Sequence, residues 1–218
     1  MDISSWDTGQ WIIIILCAFL LVWYVIAGYF NRKRGIIFYR WLRDGLELLG
    51  GDREMHWIGS SGSGGQIIIK NAEPPCKTID VVFLLETREL LPLWLINLIR
   101  KKQDEVIIKA ILRNTSKQEI EVARSGDREF SRILALDQKP AYSQVPTTQN
   151  FQIAQRGGGN PETIKQLEKF LSEDGDQIIR LSLQRKTPHL VIRISLSKAI
   201  DKPSEDFFSS LINWLQNI

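Results

Sequence analysis

From Trp11 to Phe30 the chain runs WIIIILCAFLLVWYVIAGYF, twenty residues without a charged side chain, and Arg32, Lys33 and Arg34 follow at once. At ~1.5 Å rise per residue, a helix of that length matches the roughly 30 Å hydrocarbon core of a bilayer. A soluble helix this long would carry a polar stripe. In lipid an unbroken helix satisfies its own backbone, and Trp11 and Tyr29 stand at the two ends, where amphipathic rings favour the headgroup level. The pattern predicts a single transmembrane helix over residues 11–30. The first ten residues hold Asp2 and Asp7 and no Lys or Arg, unlike the basic start of a cleaved signal peptide. Cys17 lies mid-run, away from a lipoprotein position. Cationic flanks stay cytoplasmic. Arg32, Lys33 and Arg34 therefore place the tail, residues 1–10, outside the cell membrane and the rest of the chain in the cytoplasm.

Beyond the apolar run the periodicity changes. In Gly35–Leu49, Phe38, Leu42, Leu46 and Leu49 fall on one helical face and Arg40, Arg43, Asp44 and Glu47 on the other. This predicts an amphipathic juxtamembrane helix within residues 31–50, ended by Gly50-Gly51. Its apolar face lies either in the membrane interface or on the domain. Short strands are expected at Met55–Ile58 and Gln66–Lys70, joined by a glycine-rich hairpin loop. Ile79–Leu85 reads as an internal strand because it is apolar throughout. Thr87–Lys102 reads as a helix whose centre, Leu90 to Ile99, is apolar nearly all round. Pro92 fits only in its first turn. Such a segment is buried, enters the interface or docks a partner, and Leu90, Leu93, Trp94, Leu95 and Leu98 are the candidate contact residues.

Val106–Leu112 and Glu119–Ala123 read as a strand pair around the polar turn Asn114–Lys117, with Glu119 and Glu121 on a solvated face. Glu129–Leu136 reads as a short helix and residues 137–149 as a linker. A strand at Asn150–Gln155, a helix from Pro161 to Leu171, strands at Gln177–Leu183 and Leu190–Leu196, and a helix from Ser204 complete the chain. The order strand–helix–strand–strand–helix occurs twice, over about 79–136 and 150–217, two passes of similar length. The expected fold is therefore α+β: a transmembrane helix, then a cytoplasmic domain of two similar units, 51–136 and 150–218.

Composition narrows the function. About 190 residues follow the anchor, enough for a real core, with 44% hydrophobic and 24% charged residues overall and a net charge of +3. Cys17 and Cys76 are the only cysteines and His56 and His189 the only histidines. This suits a reducing compartment and argues against a structural zinc site. No metal or cofactor is expected. Dispersed basic residues without interleaved aromatics argue against nucleic acid.

The best ligand candidate is Arg156-Gly157-Gly158-Gly159-Asn160. A strand leads in, and a helix N-terminus capped by Asn160 leads out. Backbone N–H groups and the helix dipole there suit a phosphate-bearing or other anionic ligand. Its spacing matches neither the P-loop nor the dinucleotide fingerprint. Glu86, Glu89, Asp104 and Glu105 fall at element ends without an orienting partner, so no catalytic residue is assigned. The expected partners are the lipid bilayer and a second protein or another copy of this chain. The expected role is an interaction or assembly module at the membrane, with ligand sensing at the glycine loop as the alternative.

Overall fold

The computed structural model describes residues 7–116, 118–125, 130, 143–145 (backbone), 151–157 and 161–216. Helix α1 (Thr8–Leu46) is a single unbroken element of 39 residues. Asp7 caps it in a reciprocal box with Gln10. It is long and apolar enough near the N-terminus to cross a membrane. From Thr8 to Val22 every residue is exposed, and from Ala27 onward one face is buried. Phe38, Leu42, Leu46 and Leu49 are all under 4% exposed. The amphipathic segment is thus the lower half of the same helix, and its apolar face packs on the domain. A 3-10 turn over Glu47–Leu49 ends it, and Gly50 and Gly51 take positive φ (57° and 77°) to redirect the chain.

The domain is α+β. Its strands are β1 (Asp52–Trp57), β2 (Gly64–Lys70), β3 (Cys76–Leu84), β4 (Glu105–Leu112), β5 (Glu119–Arg124), β6 (Ser143–Val145), β7 (Phe151–Arg156), β8 (Ile178–Leu183) and β9 (Leu190–Ser195). Among the described residues they form one nine-stranded antiparallel sheet, ordered β1-β2-β3-β4-β9-β8-β5-β7-β6. Helices α2 (Leu91–Ile99), α3 (Pro161–Asp174), the short α4 (Leu196–Ala199) and α5 (Ser204–Gln216) complete the described elements. The lower half of α1, with α3 and α5, covers one sheet face. There Phe38, Leu42, Leu167, Phe170, Phe207, Phe208 and Trp214 meet Ile69, Val81, Ile108, Ile192, Leu181 and Ile120 in one core. The alternate side chains of β3 and β4, such as Val82, Ile107 and Lys109, are half-buried or exposed on the opposite face. Cys76 sits in the core at 2% exposure, and burial pushes its thiol from 9.0 up to about 11.

Three expectations change. First, β4 and β5 are not a hairpin. β4 lies between β3 and β9, and β5 between β7 and β8. β5 is covered on both faces: Ile120 and Val122 enter the main core, while Ala123 clusters with Phe130 and Ala154, so Ile120, Glu121, Val122 and Ala123 are all buried in succession. Second, Glu121 is therefore 3% exposed rather than solvated, and it accepts hydrogen bonds from Arg180, Ser182 and Gln184. Third, α2 begins only at Leu91, with Leu90 extended and Pro92 in the first turn. Of the linker at 137–149, residues 143–145 pair with β7 as β6. The remainder, and the expected helix at 129–136 apart from the buried Phe130, lie outside the described residues. The closing helix of the first expected pass, apart from Phe130, lies outside the described residues, and the strands of the two passes pair differently. β3 and β4 are neighbours, while β5 intervenes between β7 and β8.

Candidate functional site

Where α1 enters the domain, a closed polar cluster joins four parts of the chain. Asn31 and Arg34 lie one turn apart on α1, Glu86 and Arg88 follow β3, and Asp104 precedes β4. Asp104 is 1% exposed. It accepts a bidentate pair from Arg88 (both 3.0 Å), a bond from Arg34 at 2.8 Å and one from the Glu86 backbone N–H at 2.7 Å. The Arg88 guanidinium also meets the Glu86 carboxylate at 3.3 Å and donates to Asn31 Oδ1 at 3.0 Å. Asn31 Nδ2 returns to the Glu86 carbonyl at 3.0 Å. The Asp104 carbonyl accepts from Leu196 N–H at 3.0 Å, which ties in the end of β9. Two guanidiniums and two carboxylates balance. Each ion is paired, and Asp104 and Arg88 are multiply hydrogen-bonded, which is the condition for burying charge, while Arg34 Nε and Glu86 Oε1 are buried without a hydrogen-bond partner. The Arg34 guanidinium also lies over the Phe38 ring at 5.2 Å.

The glycine-rich β1–β2 hairpin supplies the second fastening. Its tip turns through Ser60–Gly64, and Ser63 O accepts from Leu85 N–H at 2.9 Å. The tip presses against α1 at Gly35, where a Cβ would sit inside van der Waals contact of the Ser61 carbonyl oxygen and 3.3 Å from Leu85 Cδ1. Small residues at that meeting point let helix and loop backbones approach. Gly35→Ala gains about 0.8–1 kcal/mol of helix propensity. It must also displace a backbone oxygen, a strain of about 1–3 kcal/mol. The expected result is net destabilisation, read as a lower melting temperature of the detergent-solubilised chain. Gly28→Ala, whose Cβ meets only Glu89 Cγ at 3.7 Å, should not destabilise and serves as the control.

The residues singled out in the sequence fall into three groups. Arg32 and Lys33 are exposed on α1, but Arg34 is turned into the domain against Asp104. Trp11 and Tyr29 are exposed, 43% and 72%. Leu90, just before α2, and Leu93, Leu95 and Leu98 on it are exposed, while Trp94 is half-buried against Trp23, ring centroids 5.3 Å apart. At the glycine loop, Arg156 faces Glu119 at 3.7 Å and Gly157 has φ 94°. Gly158, Gly159 and Asn160 lie outside the described residues.

The junction cluster went unread in the sequence. Its only trace was a pair of polar residues at i and i+3 just past the apolar run, with carboxylates 50 to 70 positions away. Among the described residues no group of three or more His, Cys, Asp or Glu side chains is placed to hold a metal. A groove of about 240 Å³ between α3 and α5 is lined by Gln166, Lys169, Phe170, Glu173 and Trp214. It is below the roughly 300 Å³ lower bound of small-molecule sites. No family model matches the sequence, and no curated protein matches it.

Proposed function

We propose that α1 crosses the cell membrane once, tail outward, and holds the sheet domain on the cytoplasmic side as a module for assembly with another protein or a second copy. One observation carries this reading: the anchor does not end at the domain but continues through it as part of the core, with Phe38, Leu42 and Leu46 almost fully buried. A flexible tether is enough to keep an enzyme near a membrane. A helix built into the core, and fastened again at Asp104 and Gly35, presents the domain in one orientation. That benefit accrues to docking in a fixed geometry. Exposed Arg32 and Lys33 beside the apolar run favour the cytoplasmic side for the domain.

Two measurements on native membranes test it. Chemical crosslinking should yield a discrete species larger than the 25.1 kDa chain. A lone 25.1 kDa band at every crosslinker length would remove the assembly role. Protease added to sealed vesicles should digest the domain only when the cytoplasmic face is outward. Digestion from the opposite face would reverse the orientation.

A further inference from the structure

Helix α2 is nine residues of LPLWLINLI, and it stands on the surface. Only Asn97 is buried, while Leu93, Leu95, Ile96, Leu98 and Ile99 are exposed, Leu98 at 58% and Ile99 at 81%. Water does not favour so continuous an apolar surface, which marks a contact with something apolar. Its position on α1 identifies that contact. Trp94 packs on Trp23, and Trp23 Nε1 donates to the Arg88 carbonyl at 3.0 Å. The helix is clear of the domain only over Thr8–Val22, a length of roughly 22 Å. That is short of the roughly 30 Å hydrocarbon core. For α1 to span, the bilayer must reach down to about Phe30. Trp23 then lies seven residues, roughly 10 Å, inside the boundary. Whatever packs on Trp23 lies at that depth as well.

We infer that α2 is a second membrane-contacting element, its Leu and Ile side chains among the acyl chains of the leaflet that α1 leaves, with Arg100, Lys101 and Lys102 in the headgroups. The inference rests on the spanning role proposed for α1. Nine residues are too few to cross, so α2 enters and returns on the same side. Its ends suit that path. At its C-terminus, the Arg100, Lys101 and Lys102 N–H groups bond back to Ile96, Leu98 and Asn97 carbonyls at 3.0–3.1 Å, with Lys101 at φ 53°. The Trp23 indole satisfies the Arg88 carbonyl, a backbone group that lipid cannot serve. Arg100, Lys101 and Lys102 are all exposed and match an anionic leaflet surface.

The test uses the full chain, with Cys17→Ser and Cys76→Ala, in vesicles of phosphatidylcholine and phosphatidylglycerol. A nitrobenzoxadiazole label is placed at Val22→Cys, Leu98→Cys, Ile99→Cys or Lys169→Cys, and quenching by doxyl-labelled phosphatidylcholine is compared. Labels at 22, 98 and 99 are expected to be quenched several-fold more than the label at 169. If 22 is quenched while 98 and 99 behave like 169, α2 faces water or protein and the inference fails alone. If 22 also behaves like 169, the spanning role of α1 fails and α2 falls with it.

Discussion

Asp104→Ala is expected to destabilise the domain by about 3 kcal/mol, since removing one member of a buried ion cluster leaves the remaining charges uncompensated. For a chain of this size that lowers the melting temperature by roughly 6–12 °C. The aspartate is 1% exposed and serves both guanidiniums, so its loss strands Arg34 and leaves Arg88 with Glu86 as its one carboxylate, in side chains only 26% and 17% exposed. The Glu86 N–H loses its acceptor as well. Arg34 belongs to α1 and Arg88 to the connection before α2, so the damage falls on the join between helix and sheet. Asp104→Asn keeps the shape and one acceptor oxygen but not the charge, and should fall between alanine and the wild type. A melting temperature within about 2 °C of wild type for Asp104→Ala would show that the cluster does not hold α1 to the domain.

Phe38→Ala should cost about 4 kcal/mol, the range for deleting a buried phenylalanine. Phe38 is 1% exposed and is the first large apolar residue of α1 within the core. It also supports Arg34 from below, at 5.2 Å from guanidinium to ring centre. The two sites therefore share a partner. Phe38→Ala combined with Asp104→Ala should cost less than the sum of the single changes, by about 1 kcal/mol, because residues in one network are coupled. Strict additivity in denaturant titrations would mean that the ring and the ion cluster act independently. In neither case should insertion into membranes change, because Trp11–Phe30 is untouched. A variant that loses the folded domain yet still sediments with membranes would separate anchoring from presentation.

The parts of the fold that could be read in advance are those set by local period. Phe38, Leu42, Leu46 and Leu49 repeat at helical spacing, and they became the buried face of α1 because that spacing permits only one stripe. Ile67 and Ile69, like Val81 and Phe83, alternate with less buried neighbours as a one-sided strand requires. Pro92 marked the start of α2, although the helix proved shorter than its apolar run. The pairing of β4 with β5 failed because a polar turn is a local signal, whereas β5 sits between β7 and β8 through non-local contacts. Glu121 followed the same error. Its carboxylate looks solvated in an alternating strand, and it becomes buried only because β8 brings Arg180 and Ser182 beside it.

Taken alone, the amino-acid order determines an apolar helix long enough for a bilayer, a basic flank, an amphipathic continuation and an α+β set of elements. Each follows from spacing along one segment, where neighbours in sequence are neighbours in space. The tertiary structure decided the rest. It turned Arg34 from a flanking cation into a partner of Asp104, closed the hairpin tip on Gly35, set β5 in the sheet interior and stood α2 on the surface against Trp23. These outcomes depend on groups up to 71 residues apart meeting at one place. Such meetings are governed by the burial and charge balance of the whole domain, which no single segment encodes.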